Sequence, residues 1–195
     1  MNNKVYFCVT WIIFLMACEP KQSSVSYEDY IANHRKETHE FMNVSDDSPF
    51  VGVDSTISLN YYPVDQKFRV IATIKRIQNG GQLTLGTSDG VSRVYDKHAL
   101  LEFEINEKPL QLLVLKGEKS EGLFLAFSDL TNDNTTYGGG RYINLNFSDQ
   151  AEKITLDFNL AYNPYCEYNA TYSCPLPPLE NYLKVAIAAG EKLYK

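Results

Sequence analysis

Two carboxylates in the C-terminal third of the sequence have the residue type and spacing for acid and base chemistry. Asp157 lies in a run where polar and apolar residues alternate, and Glu180 follows in a proline-rich segment. If that segment folds over the strand, the two carboxylates occupy different environments and can divide the roles of general acid and general base. The sequence therefore permits a hydrolase that uses Asp157 and Glu180 as its acid and base pair.

The same region is also suited to binding, because tyrosine rings offer stacking surface and polar side chains such as arginine and asparagine orient a ligand. The predicted ligand contacts are Tyr137, Gly140, Arg141, Tyr142, Asn159, Tyr162, Asn163 and Asn181. The sequence contains no H-E-x-x-H motif. We therefore favour a ligand- or partner-binding module, with the hydrolase as the alternative.

Cys166 and Cys174 bracket a short stretch of this region. A disulfide between them is the favoured interpretation, and it would stabilise the fold by roughly 2–3 kcal/mol through loop entropy. A reactive thiol pair is an alternative. A metal site is disfavoured, because the close spacing of a CxxC motif and a neighbouring histidine are both missing. The sequence predicts no metal ion and no cofactor.

The strands that carry these residues are predicted to pair as a hairpin. If the short polar stretch between them is the loop, Asn144 lies opposite Asp157, and Tyr142 lies opposite Asn159. The polar face of this hairpin is then either solvated or the floor of a pocket beneath the following segment. In the second case we expect Asp157, Asn159 and Arg141 to be buried and paired, because a desolvated, unpaired charge costs several kcal/mol.

The fold class follows from periodicity. From about residue 55, short runs alternate between apolar and polar residues, with turn signals such as NGG at 79–81 between them. Short strands joined by tight turns are antiparallel neighbours. Before them, apolar residues recur at helical spacing from about Tyr27 to Asn43, after Ser26 as the N-cap. We predict a mostly β fold: a single antiparallel β-barrel or sandwich-like domain with one N-terminal amphipathic helix.

The N-terminal residues predict an export signal. Lys4 precedes an apolar run of signal-peptide length, Val5 to Met16. The sequence LMAC at 15–18 resembles the lipobox of bacterial lipoproteins. The resemblance implies cleavage before Cys18, a diacylglyceryl thioether on its sulfur and acylation of the new amine, which together hold a protein on a membrane. The predicted parts are a signal peptide (1–17), a lipid-anchored tether (18–26) and a single β-rich domain (27–195).

The expected location is therefore the bacterial cell envelope, periplasmic or surface-facing, with a membrane as partner through the lipid on Cys18. The binding module would take an envelope ligand or protein, and the alternative hydrolase would act on an envelope polymer. Nucleic acid is not an expected partner. The chain has 18 basic against 24 acidic residues, a net charge of −6, and lacks the basic cluster that phosphate contacts need.

Four blocks of the C-terminal half resemble a known family. They are TYGGGRY at 136–142, DFNLAYNPYC at 157–166, CPLPPLEN at 174–181 and AGE at 189–191. Their order and spacing resemble the bacterial domain-of-unknown-function family 1684, over the chain from about Tyr27 to the C terminus. No established activity accompanies this family, so the resemblance implies no catalytic residue. It does imply that the polar and cysteine blocks belong to one shared C-terminal feature.

Overall fold

The computed structural model of the protein describes residues 25–117 and 122–195. The predicted signal peptide, Cys18 and most of the predicted tether lie outside these ranges. Within them, each helix is too short or too polar to cross a membrane.

The described chain begins with helix α1, Tyr27–Val44, where the N-terminal helix is predicted. Ser26 caps it, because the Asp29 amide donates to Ser26 Oγ at 3.1 Å. Acidic residues in the first turn complement the positive end of the helix dipole. Near the other end, the Asn43 side chain exchanges two hydrogen bonds with the backbone of Ile57. These contacts fix both ends of the helix.

Eight strands form the sheet. In chain order they are β1 (Arg69–Arg76), β2 (Gln82–Gly86), β3 (Ser92–Ile105), β4 (Lys108–Gly117), β5 (Leu123–Asp129), β6 (Arg141–Leu145), β7 (Lys153–Asp157) and β8 (Tyr182–Leu183). Their spatial order is β6-β5-β4-β3-β1-β7, with β2 beside β3 and β8 beside β5. All pairs are antiparallel except the short β5–β8 pair.

The sheet curls into an antiparallel half-barrel, and the mostly β prediction is confirmed. Its end strands β6 and β7 do not pair with each other in the part of the chain that is described, so the predicted closed barrel is not formed. The sandwich alternative fails as well, because one curled sheet carries the strands.

The hairpin predicted between β6 and β7 is wrong. β6 pairs with β5, and β7 pairs with β1 at the other end of the sheet, where Asp157 lies opposite Arg69. Asn144 lies opposite Phe124 rather than Asp157. Alternation along a strand fixes which residues share a face, but it leaves the partner strand open.

After β7 the chain returns to the opposite end of the sheet. Tyr142 in β6 and Tyr162 exchange backbone hydrogen bonds of 2.9 and 3.0 Å. Helix α2 (Tyr165–Tyr168) follows, and β8 then pairs with β5. The C-terminal segment therefore lies along β5 and β6, and this brings the candidate site together.

The core lies between the sheet and this segment. Phe127 of β5 and Phe158 pack edge to face, with ring centroids 5.2 Å apart. Ile187 and Ala189 near the C terminus are fully buried in the same cluster. Burying a large apolar side chain contributes about 1.5–3 kcal/mol, so these contacts hold the C-terminal residues, including Glu191, in place.

Candidate functional site

A cavity of about 620 Å³ lies between α1, β6 and the segment from residue 160 to residue 175. Its walls combine tyrosine rings with a few ionisable side chains. The tyrosines are Tyr142, Tyr162, Tyr165 and Tyr172, and the other ionisable residues are His34, Glu37, Cys174 and Glu191. A concave, largely aromatic surface with a few polar groups is typical of a small-molecule site.

Two of the tyrosines are fixed by their hydroxyls. Tyr142 Oη donates to the carbonyl of Pro175 at 2.6 Å, and Tyr162 Oη donates to Asn144 Oδ1 at 2.8 Å. Their rings pack edge to face, with centroids 5.9 Å apart. Burial raises the pKa of both phenols, that of Tyr162 to about 12. Both hydroxyls therefore keep their protons at neutral pH.

The remaining wall comes from α1 and from the region of α2. Tyr165 and Tyr172 pack edge to face, with centroids 5.2 Å apart. His34, Glu37 and Thr38 line the cavity from α1. Burial lowers the pKa of His34 below its usual 6.5, so its imidazole is neutral at pH 7. The helix therefore contributes one carboxylate and one neutral ring.

Glu191 is the most buried carboxylate of the cavity, with 1% of its surface exposed. Its Oε2 accepts hydrogen bonds of 2.6 Å from the Asn163 amide and from the Tyr168 hydroxyl. Its Oε1 has no hydrogen bond of normal geometry, although the Tyr61 hydroxyl lies close to the carboxylate. Burial raises the pKa of Glu191, against the opposing effect of these donors and of the Arg141 charge. Because a carboxylate oxygen can accept two hydrogen bonds, Oε1 keeps acceptor capacity even beside the Tyr61 hydroxyl.

Arg141, a predicted ligand contact, does not face the cavity. Its guanidinium donates to Asp129 Oδ2 at 2.9 Å and to the carbonyls of Ile187, Ala189 and Glu191. Only 1% of Arg141 is exposed. The side chain is buried and paired, as predicted for a covered face, but its partners belong to the protein, so it positions the segment that carries Glu191.

The three predicted asparagines also bond to the protein. Asn181 bonds to the backbone of β4 and β5, Asn159 bonds to the backbone of Asp65, and Asn163 donates to the carbonyl of Lys192. All three are at least 98% buried. Their hydrogen bonds support loops and strands around the cavity, although Asn163 Oδ1 has no hydrogen bond of normal geometry and Asn159 Nδ2 also donates to the Asp157 carboxylate.

Gly140, another predicted ligand contact, lies where the backbone packs closely against Phe127 and Pro177. Its φ is +85°, in the left-handed region, and an added Cβ would lie 2.7 Å from the carbonyl oxygen of Phe127 and 2.3 Å from Pro177 Cγ. The position therefore requires glycine for packing.

Asp157 and Glu180, the predicted acid and base, lie apart in the sheet order. Asp157 ends β7, is buried, and accepts hydrogen bonds from the Tyr27 hydroxyl and from Asn159. Glu180 is exposed in a single turn beside β4 and β5, which β3 and β1 separate from β7. Neither lines the cavity. The structure therefore does not bring the two carboxylates into one site.

Cys166 and Cys174 are both thiols, so the predicted disulfide is not formed in this structure. The Cys166 amide donates to Cys174 Sγ at 3.2 Å, and Tyr137 Oη lies 3.8 Å from Cys166 Sγ. Burial raises the pKa of Cys174 to about 12. Within the described residues, no group of three or more His, Cys, Asp or Glu side chains is arranged to hold a metal ion.

Of the predicted ligand contacts, Tyr142 and Tyr162 line the cavity, whereas the residues that line it from α1 were not predicted. His34, Glu37 and Thr38 lie on a helix whose contact with the sheet edge is not encoded in its own periodicity. Glu191 belongs to the AGE block at 189–191, one of the four blocks that resemble the family, and this was its only signal in the sequence. An isolated acidic residue after alanine and glycine, near the end of the chain, gives no hint of its burial.

These features define a small, mostly β domain in which a helix and a C-terminal segment enclose a tyrosine-lined cavity at one edge of a half-barrel. The chain belongs to the family described as Protein of unknown function (DUF1684), which matches it over residues 57–192. The family match therefore contains the sheet and Glu191 but not α1.

A solved structure is also similar to this chain. It is the solution NMR structure of the uncharacterized protein from gene locus rrnAC0354 of Haloarcula marismortui, with 36% sequence identity and a TM-score of 0.66. The alignment covers 85% of this chain and 94% of that chain. No curated protein matches the chain significantly in sequence.

Proposed function

We propose that this protein is a small-molecule-binding module of the bacterial cell envelope, anchored to a membrane through lipid on Cys18. The observation that carries the binding function is Glu191, a buried carboxylate with unused acceptor capacity on the wall of a tyrosine-lined cavity. The lipobox resemblance at 15–18 supports the anchor and the location.

The energetics of Glu191 favour a ligand. A buried polar atom without a partner costs about 1–3 kcal/mol, and more when the group is charged. A bound group that donates hydrogen bonds to Glu191 would offset this cost. The cavity volume of about 620 Å³ lies in the range of small-molecule sites, about 300–1,000 Å³.

Native mass spectrometry of the full chain, extracted from its own membranes in mild detergent, tests the binding function. Thr38→Trp fills the cavity from α1, whereas Asn33→Trp places the same ring on an exposed position of the same helix, outside the cavity. We expect a co-purifying small molecule on the wild type and on Asn33→Trp but not on Thr38→Trp. Equal occupancy in all three proteins would show that this cavity is not the site.

The anchor has its own test. Cys18→Ala removes the predicted acylation site and changes no residue of the predicted domain (27–195). We expect the wild type to incorporate labelled fatty acid and to sediment with membranes, and the variant to do neither. Labelling of the variant at the wild-type level would refute the lipid on Cys18.

We further propose that Cys166 and Cys174 form a disulfide once the protein is exported. The two thiols give two protons and two electrons to a protein disulfide of the oxidising compartment, which becomes a dithiol. The 3.2 Å contact between the Cys166 amide and Cys174 Sγ, which places the residues side by side, supports this step. We expect protein purified without reductant to weigh two hydrogens less than the reduced chain. A full reduced mass would contradict it.

A further inference from the structure

We propose that the cavity takes an organic cation: a protonated primary or secondary amine attached to an aromatic or apolar body. This inference rests on the proposed binding function and specifies its ligand class. It follows from the charge of the walls, from the direction of their hydrogen bonds and from the tyrosine rings.

The charged side chains of the cavity are acidic. Glu37 and Glu191 line it, and none of its described lining residues is lysine or arginine. His34 carries no charge at pH 7, because burial lowers its pKa. Two cations interact with Glu191 from outside the lining residues: Arg141 is held by Asp129 at 2.9 Å, and Arg35 donates to the carbonyl of Tyr62. The walls therefore attract a positive group and repel a carboxylate or phosphate.

The fixed hydroxyls of the cavity also favour a ligand that donates hydrogen bonds. The Tyr142 hydroxyl donates its hydrogen bond to the carbonyl of Pro175, and the Tyr162 hydroxyl donates its hydrogen bond to Asn144 Oδ1. A phenolic oxygen whose proton is committed can only accept from a further partner. A protonated primary amine offers three N–H donors, so its hydrogen bonds match these walls.

Glu191 supplies the strongest acceptor. Its Oε2 is already used by the Asn163 amide and the Tyr168 hydroxyl, and its Oε1 has no hydrogen bond of normal geometry. Hydrogen bonds between charged groups are shorter and about twice as strong as neutral ones. An ammonium group beside Glu191 would therefore satisfy the buried carboxylate and compensate its charge.

The tyrosine rings suit both parts of such a ligand. A cation within about 6 Å of an aromatic centroid gains about 0.5–2 kcal/mol from the ring quadrupole. Tyr142 with Tyr162, and Tyr165 with Tyr172, form two edge-to-face pairs on the cavity wall. Such pairs present both ring faces and ring edges, so the same walls hold the cation and stack on an apolar body.

The test uses three phenylethyl probes of similar size and different charge: 2-phenylethylamine, 2-phenylethanol and 3-phenylpropionate. Their binding to the full chain in detergent is measured by isothermal titration calorimetry, with Thr38→Trp in the same detergent as the control for micelle partition. We expect the amine to bind at least about tenfold more tightly than the alcohol and the acid, and Thr38→Trp to abolish this binding.

Two charge-neutralising variants assign the binding to the carboxylates. Glu191→Gln should weaken amine binding about tenfold or more, the equivalent of a lost charged hydrogen bond, and leave the alcohol within about twofold. Glu37 is exposed on α1, so Glu37→Gln removes a charge without disturbing the fold. It should weaken amine binding about two- to threefold. Glu40→Gln, on α1 outside the cavity, should change neither.

The outcomes separate the ligand class from the binding function. Alcohol or acid bound as tightly as the amine, and blocked by Thr38→Trp, overturns the cation and leaves the binding module standing. No binding of the amine at millimolar concentration also overturns the cation. Amine bound equally by wild type and Thr38→Trp overturns the cavity as the site, and both proposals with it.

Discussion

Arg141 and Asp129 form a buried ion pair, in which Arg141 Nη2 lies 2.9 Å from Asp129 Oδ2 and neither residue exposes more than 2% of its surface. The same guanidinium donates to the carbonyls of Ile187, Ala189 and Glu191. The pair thereby joins the end of β5 and the start of β6 to the last residues of the chain. It positions the cavity carboxylate without touching the cavity.

Removing one partner of this pair should be costly. Arg141→Met leaves the Asp129 carboxylate buried without its cation, and loss of one member of a buried pair costs about 3–5 kcal/mol. The measurement is urea unfolding followed by circular dichroism. Arg69→Met is the matched control, because Arg69 is half exposed and 3.8 Å from Asp157. That change should cost less than about 1 kcal/mol. Equal losses in the two variants would contradict a special role for Arg141.

Glu191 should make stability depend on pH. Its pKa is raised in the fold above the ordinary 4.5, so the folded protein holds this proton more tightly than the unfolded chain. The contribution of this shift to the free energy of unfolding is therefore fully present below pH 4.5, and it is lost as the pH rises through the pKa of Glu191 in the folded state. We expect the wild type to lose stability relative to Glu191→Gln as the pH rises above 4.5 in urea titrations. A stability difference that stays constant as the pH rises above 4.5 would show that the fold does not raise the pKa of Glu191.

Local patterns in the sequence were enough to predict the mostly β fold class. The Ser26 cap and the helical spacing after it predicted α1 to within one residue of its observed end. Alternation predicted the strands, because a strand with one buried face repeats every two residues. Such signals lie within a single element, so they can be read without knowing which element lies beside it.

The sequence did not reveal which strands pair when they lie far apart along the chain. Asp157 lies opposite Arg69 rather than Asn144, because β7 pairs with β1 across 80 residues of sequence or more. The arginine and the asparagines predicted as ligand contacts are buried, Arg141 and Asn181 among them. A sequence can mark a polar residue in an apolar setting, but it does not reveal whether the partner is a ligand or the backbone of another strand.

Asn181 should be structural, and its neighbour Glu180 dispensable. Asn181 Oδ1 accepts from the Leu113 amide at 2.6 Å, and its Nδ2 donates to the carbonyls of Leu113 and Ala126. Asn181→Ala leaves these buried groups of β4 and β5 without partners, at a cost of about 2–3 kcal/mol in urea unfolding. Glu180→Ala, an exposed change in the same turn, should cost less than about 0.5 kcal/mol. A larger loss from Glu180→Ala would reverse this assignment.

Cys174 should react slowly as a thiol. Burial raises its pKa to about 12 from the ordinary 9.0, and the thiolate is the reactive form. With this shift alone, the thiolate fraction at pH 8 falls about a thousandfold. In reduced, folded protein we therefore expect iodoacetamide to leave Cys174 unmodified, as peptide mass mapping would show, and to modify it once urea is added. Rapid labelling of Cys174 in the folded protein would contradict the burial of its sulfur.

The contact between Tyr27 and Asp157 should control the docking of α1 and, through it, the cavity. Tyr27 Oη lies 3.0 and 2.9 Å from the two carboxylate oxygens of Asp157, at the N-terminal end of α1. Tyr27→Phe removes a hydrogen bond to a charged group, worth about 1.5–3 kcal/mol at most because Tyr27 is partly exposed. Amide hydrogen exchange in α1 should become faster.

Tyr30→Phe is the control for this change, since Tyr30 lies on the same helix with 49% of its surface exposed. It should leave both exchange and stability unchanged. Because His34, Glu37 and Thr38 reach the cavity from α1, Tyr27→Phe should also weaken ligand retention in native mass spectra, whereas Tyr30→Phe should not. If Tyr27→Phe speeds exchange in α1 but leaves ligand retention intact, the cavity does not depend on how this end of the helix is held.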